Sequence, residues 1–173
     1  MTPRFAPCTR QALGDERGAA AMEMALVVPL FLVLMFGAYD LGNYFLSEHV
    51  VVKAVRDGAR YASRRGFGDF SCSAPNADVL DKTRNLVRTG TIASGGTARL
   101  RNWTDGVATI TVTATCNTTH AAYNNGIYKG ASTGVPIVTV TATVPYTSLF
   151  KHFGITTATL TLNASSQVPV MGV

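Results

Sequence analysis

The chain has 173 residues, 47% of them hydrophobic and only 14% charged, with a formal net charge of +5. Once an apolar span is set aside, what remains suffices for one small domain and no more. The basic balance selects no nucleic-acid partner, because the positive charges are spread along the chain and no run interleaves basic with aromatic residues. Attraction to anionic lipid or to an acidic surface fits the same balance.

The first seventeen residues carry Arg4, Arg10 and Arg17 against Asp15 and Glu16. Arginine on this flank favours a cytoplasmic N-terminus. Lys53, Arg56, Arg60, Arg64 and Arg65 oppose that on a simple count, but they begin well past Tyr39 and lead into a folded domain. From Ala19 to Tyr39 the sequence is apolar on every face, and apart from the terminal Tyr39 its only ionisable side chain is Glu23. A helix needs roughly 20 such residues to cross the hydrocarbon core of a bilayer. A secretory signal places its small-residue cleavage site after the apolar run. Here the small residues come first and no lipid-accepting cysteine follows, so a leader cut there is lost on the cytoplasmic side while the helix is kept.

Glu23 is the informative residue of the span. A charge at mid-bilayer costs about 2.5–3.5 kcal/mol on insertion scales, so it usually has a partner. Ala19 and Glu23 stand four apart, on one helix face. A cut between Gly18 and Ala19 creates an ammonium group that can neutralise Glu23 of a neighbouring subunit. The other arrangement is a carboxylate at the headgroup edge, solvated by water. Spacing alone leaves both open.

Arg17-Gly18 before Ala19-Ala20-Ala21-Met22-Glu23 resembles the processing site of type IV pilin-like proteins. The continuation Glu23-Met24-Ala25-Leu26-Val27-Val28-Pro29-Leu30, with Gly37 and Asp40 further on, resembles the TadE-like pseudopilins of tight-adherence (Flp) pilus systems. The resemblance covers about residues 16 to 65. It departs at Met24, where Flp-type sites commonly carry tyrosine. It implies a prepilin peptidase cutting after Gly18, association with the Flp major pilin and other pseudopilins, and an inner-membrane assembly platform with its ATPase. It places the protein in the inner membrane as a single-pass chain, N-terminus cytoplasmic and C-terminal domain periplasmic or extracellular, with incorporation into the pilus as a further expectation. Residues 1–18 are then a cytoplasmic leader, 19–42 the transmembrane half of the long helix, 43–66 its extramembrane half and 67–173 the head. Glu23 sets register between subunits, rejecting a misaligned neighbour more than it adds affinity.

Beyond the span, Leu41, Phe45, Val52, Val55, Ala59 and Ala62 recur at helical spacing and no proline intervenes before Arg65. A single helix from Ala19 to Arg65 is about 70 Å long. Pro29 removes one backbone bond and is expected to kink it. Gly42 and Gly58 read as tolerable defects, and Lys53 and Asp57 as a weak pair four apart. Gly66 and Gly68 end the helix, and a loop to Pro75 holds Cys72.

Asn76 then reads as the N-cap of a second helix, with Asp78 in its first turn, a core stripe of Val79, Leu80, Leu86 and Val87, and Gly90 as its stop. After Gly95-Gly96 the periodicity turns to alternation. The segments 109–115, 138–144 and 157–162 each set threonine on one face and apolar side chains on the other, as half-buried strands do. A fourth strand is expected at 98–103, joined to the first by a tight Asp105-Gly106 turn. The polar stretch 117–134 reads as a solvated loop or a contact loop. The threonine faces read as solvated sheet or as an adhesive surface. A short helical crossover is expected between Tyr146 and Phe153.

Cys8 falls in the leader, while Cys72 and Cys116 lie on the oxidising side, where a disulfide persists. Closing that loop of about 44 residues adds roughly 4 kcal/mol through loop-closure entropy. A metal site of Cys72, Cys116 and His120 would lack a fourth ligand and any CxxC pair. The disulfide is the better reading, and no metal or cofactor is expected. His49, His120 and His152 form no spacing with a nucleophile, no spacing sets the scattered aspartates together as a carboxylate pair, and no phosphate loop or nucleophile elbow appears. The expectation is therefore not an enzyme but an α+β, pilin-like chain: a long membrane-spanning helix followed by a small, mostly antiparallel sheet domain. The alternative is an uncleaved single-span protein whose periplasmic head is a binding module.

Overall fold

The structure is a computed structural model describing residues 16–101, 103–104, 108–119, 123, 125–131, 133–153 and 160–172. One α-helix, α1 (Glu16–Ser63), contains Pro29 without interruption. The chain divides into two compact units, Met1–Gly42 and Asn43–Val173. In the first, every side chain from Ala20 to Met35 is exposed. An apolar surface so extensive marks contact with lipid or partner rather than water.

In the second unit α1 is one-sided. Val51, Ala54, Val55, Ala59 and Ala62 are buried, while Lys53, Arg56 and Arg60 between them are exposed. The buried positions recur three and four apart, which is the stripe that an amphipathic helix turns to a core. Against it lies α2 (Ala77–Thr89). Its first turn is capped by Asn76, whose side-chain oxygen accepts from the Val79 N–H at 2.9 Å. Gly90 closes it with φ of 85°, a left-handed conformation that glycine adopts without Cβ strain.

At Gly58 the two helices pack tightly against each other. A Cβ added there would run into Cγ2 of Val87, with Cγ2 of Thr83 at 3.5 Å. This corrects the expectation that Gly58 is merely a tolerated defect: the backbone of α1 needs that space for Val87. The buried stripe of α2 is accordingly Val79, Thr83 and Val87, with Leu80 packed partly against the core.

The sheet has three antiparallel strands in sequence order, β1 (Thr109–Asn117), β2 (Val135–Pro145) and β3 (Thr161–Pro169). Thr109 pairs with Thr143, Thr111 with Thr141 and Thr113 with Thr139, and Ser165 and Gln167 continue the rows onto β3. Because side chains alternate along a strand, this register gathers threonine, serine and glutamine on one face. The other face presents Val112, Ala114, Val138, Val140, Ala142, Val144 and Leu162, all buried in one cluster with the α1 and α2 stripes. Cys72 and Cys116, separated by 44 residues, form a disulfide that ties the loop after α1 to the end of β1.

Three expectations are corrected. Residues 98–101 and 103 form no strand. Their backbone bonds go elsewhere: the Arg99 N–H donates to Arg88 O at 2.9 Å and the Trp103 N–H to Leu100 O at 3.0 Å. The segment is a cap over the end of α2 that drops Trp103, 1% exposed, into the core. The third strand runs from Thr161 to Pro169, well past the end of the pattern at 157–162, because pairing with β2 carries Asn163 to Gln167 into the ladder despite their weak strand preference; residues 157–159 lie outside the described residues. Asp57 takes Arg99 at 3.4 Å in place of Lys53. The crossover after β2 contains a 3-10 helix, Leu149–Phe153, and a second one, Gly126–Gly130, structures the polar stretch 117–134. The Asp105-Gly106 turn, most of the leader and His120 lie outside the described residues.

Candidate functional site

The residues that carry chemistry in the first unit are few. Gly18 is exposed in the first turn of α1, with open space where a Cβ would stand. The bond after it leads into Ala19, also helical. Glu23, one turn further on, is exposed among Met22 and Met24, 73% and 65% exposed. Among the described residues it makes no hydrogen bond or ion pair. An acid so placed on an apolar rod draws a cation from outside the subunit if the rod is buried in lipid or in other helices. Pro29 lies on the same exposed helix, whereas Asp40, at 8% exposure, is buried.

In the second unit the disulfide stands beside a hollow of about 310 Å³ lined by Asn117, Tyr128, Val135, Ile137 and Gln167. Its described lining holds no carboxylate, histidine or lysine. Among the described residues no three histidine, cysteine or acidic side chains gather as metal ligands. His49 is exposed on α1, while the side chain of His152 lies outside the described set. The structure thus brings Gly18 and Glu23 onto adjacent turns and joins Cys72 to Cys116.

Sequence reasoning missed the tight seat of Val87 against Gly58, the burial of Trp103, and the contact of Tyr146 with Tyr44. A lone glycine inside an otherwise regular buried stripe was the available signal for the first. The others depend on tertiary placement, which periodicity does not encode.

These features define a class: a chain with one helix long and apolar enough to cross a membrane, continued by a small α+β head with a one-sided antiparallel sheet. Residues 18–60 match the family model of TadE-like proteins. The stretch that carries Gly18, Glu23, Pro29 and the first buried turns of the head is therefore similar to TadE-like proteins. No curated protein matches the chain, and no solved structure does.

Proposed function

We propose that this protein is a minor pilin or pseudopilin of a tight-adherence pilus, anchored by α1 in the inner membrane with its head on the outer side. A prepilin peptidase removes residues 1–18, and the subunit then associates with the Flp major pilin and other pseudopilins through its apolar helix. Its role is structural, with no catalytic step. The observation that carries this is Glu23, an acid without a partner among the described residues on the exposed apolar stretch of α1, one turn beyond a Gly-Ala bond that can supply an ammonium group. Leaving that carboxylate alone in lipid costs about 2.5–3.5 kcal/mol, and a neighbour's new N-terminus offsets that cost only in the correct register.

Glu23→Ala and Glu23→Gln test it. Both are expected to insert into membranes at normal levels and to impair pilus assembly, with Gln failing like Ala because it cannot neutralise an ammonium group. Normal piliation with either variant removes Glu23 from the account. The hollow beside the disulfide favours a second role for the head, holding a partner's apolar side chain. Loss of partner capture in Ile137→Asp with piliation unchanged would support the binding-module alternative.

A further inference from the structure

The head has two distinct ends. The Met171 N–H donates to Ser63 O at 2.8 Å and the Val170 N–H to Pro136 O at 2.9 Å, so the start of β2 lies at the C-terminal end of α1. The finish of β2 lies at the other end of the head. There Asn43 donates from Nδ2 to the Tyr146 hydroxyl at 3.1 Å, and the Tyr44 and Tyr146 rings meet edge to face at 5.2 Å. The separation along α1 from Phe45 to Ser63 is about 27 Å.

The end at Asn43 is apolar where a soluble domain would be polar. Phe45 is 50% exposed, Leu46 68% and Leu160 43%. The Leu160 carbonyl accepts from the Tyr146 N–H at 2.8 Å, so Leu160 sits against the same crossover. Leu149 and Phe150 are half-buried there, followed by exposed Lys151. Aromatic bodies with polar tips, exposed aliphatics and a lysine beside them form the composition found at headgroup level in membranes. Phe45 and Leu46 follow within a few residues the apolar run that ends at Tyr39, and the Asn43 and Tyr44 contacts bring Tyr146 and its crossover to that same end, so the occupant available to this collar is lipid.

We infer that the collar of Phe45, Leu46, Tyr146, Leu149, Phe150 and Leu160 seats the head on the bilayer interface, making the β2–β3 crossover a second membrane contact beside the helix. Lipid at this surface holds the head at one height and removes exposed apolar area from water. The inference rests on α1 spanning the membrane, and its test separates the two.

Full-length protein carrying Cys8→Ser, with the Cys72–Cys116 disulfide intact, is reconstituted in vesicles of phosphatidylethanolamine and phosphatidylglycerol. Single nitroxide labels are attached at Leu34→Cys, Lys151→Cys or Thr113→Cys, and collision with oxygen and with a water-soluble nickel chelate is measured. Unchanged emission of buried Trp103 shows that each variant is folded. The label at 34 is expected in hydrocarbon and the label at 113, on the threonine face, in water. The label at 151 is expected within about 5–10 Å of the boundary between headgroups and acyl chains. If 151 behaves like 113 while 34 stays in hydrocarbon, the inference fails and the span stands. If 34 lies in water, both fail. A label at 151 shielded from both reagents shows a protein neighbour there and also overturns it.

Discussion

Gly58→Ala asks whether the core of the head is set by the close approach of α1 and α2. The new Cβ runs into Cγ2 of Val87, a residue with no exposed surface. Val87 has little room to yield, because a valine in a helix is held to one strongly preferred χ1 rotamer. Overpacking costs about 1–3 kcal/mol, while replacing glycine by alanine inside a helix returns up to about 1 kcal/mol. The expected net loss is about 1–2 kcal/mol. Val87→Ala alone removes buried methyl groups at about 0.8 kcal/mol each and leaves a cavity. In the double variant the alanine at 58 fills part of that cavity. The combined loss should then fall short of the sum by about 1–2 kcal/mol. Urea unfolding of the full chain in detergent, followed by emission of Trp103, the sole tryptophan and 1% exposed, reads all four proteins. A Gly58→Ala protein as stable as the parent, or losses that simply add, would refute the reasoning.

The same assay reaches two further features. Breaking the Cys72–Cys116 bond with reductant, or as Cys72→Ser with Cys116→Ser, frees a loop of 44 residues and should lower stability by roughly 2–4 kcal/mol; an unchanged urea midpoint would show that the loop is already ordered without it. Thr83 is fully buried and its hydroxyl has no hydrogen-bond partner among the described residues. Thr83→Val should therefore raise stability by about 1 kcal/mol, and a loss instead would reveal a bond to that hydroxyl.

How much could be seen in advance follows from the range over which each signal acts. The capping of α2 by Asn76 and its stop at Gly90 depend on neighbours within one turn, and the sequence carries both. The alternation in β1 and β2 is equally local, since one buried face imposes period two. The segment at 98–103 fails for the opposite reason: its alternation is real, but Arg99 is drawn to Asp57 and to the end of α2, contacts made far away in the chain. Likewise β3 is placed by its partner rather than by its own composition. At the site, Gly18 and Glu23 are legible because their relation spans a single helical turn. The aromatic collar is not, because Asn43 and Tyr146 are 103 positions apart.

N-terminal sequencing, with intact mass, of the protein extracted from membranes of its own cells is the most direct measurement. A polypeptide beginning at Ala19 supplies the ammonium group that Glu23 requires and is the predicted result. A polypeptide that still begins at Met1 contradicts it, for then no such group exists beside the acid.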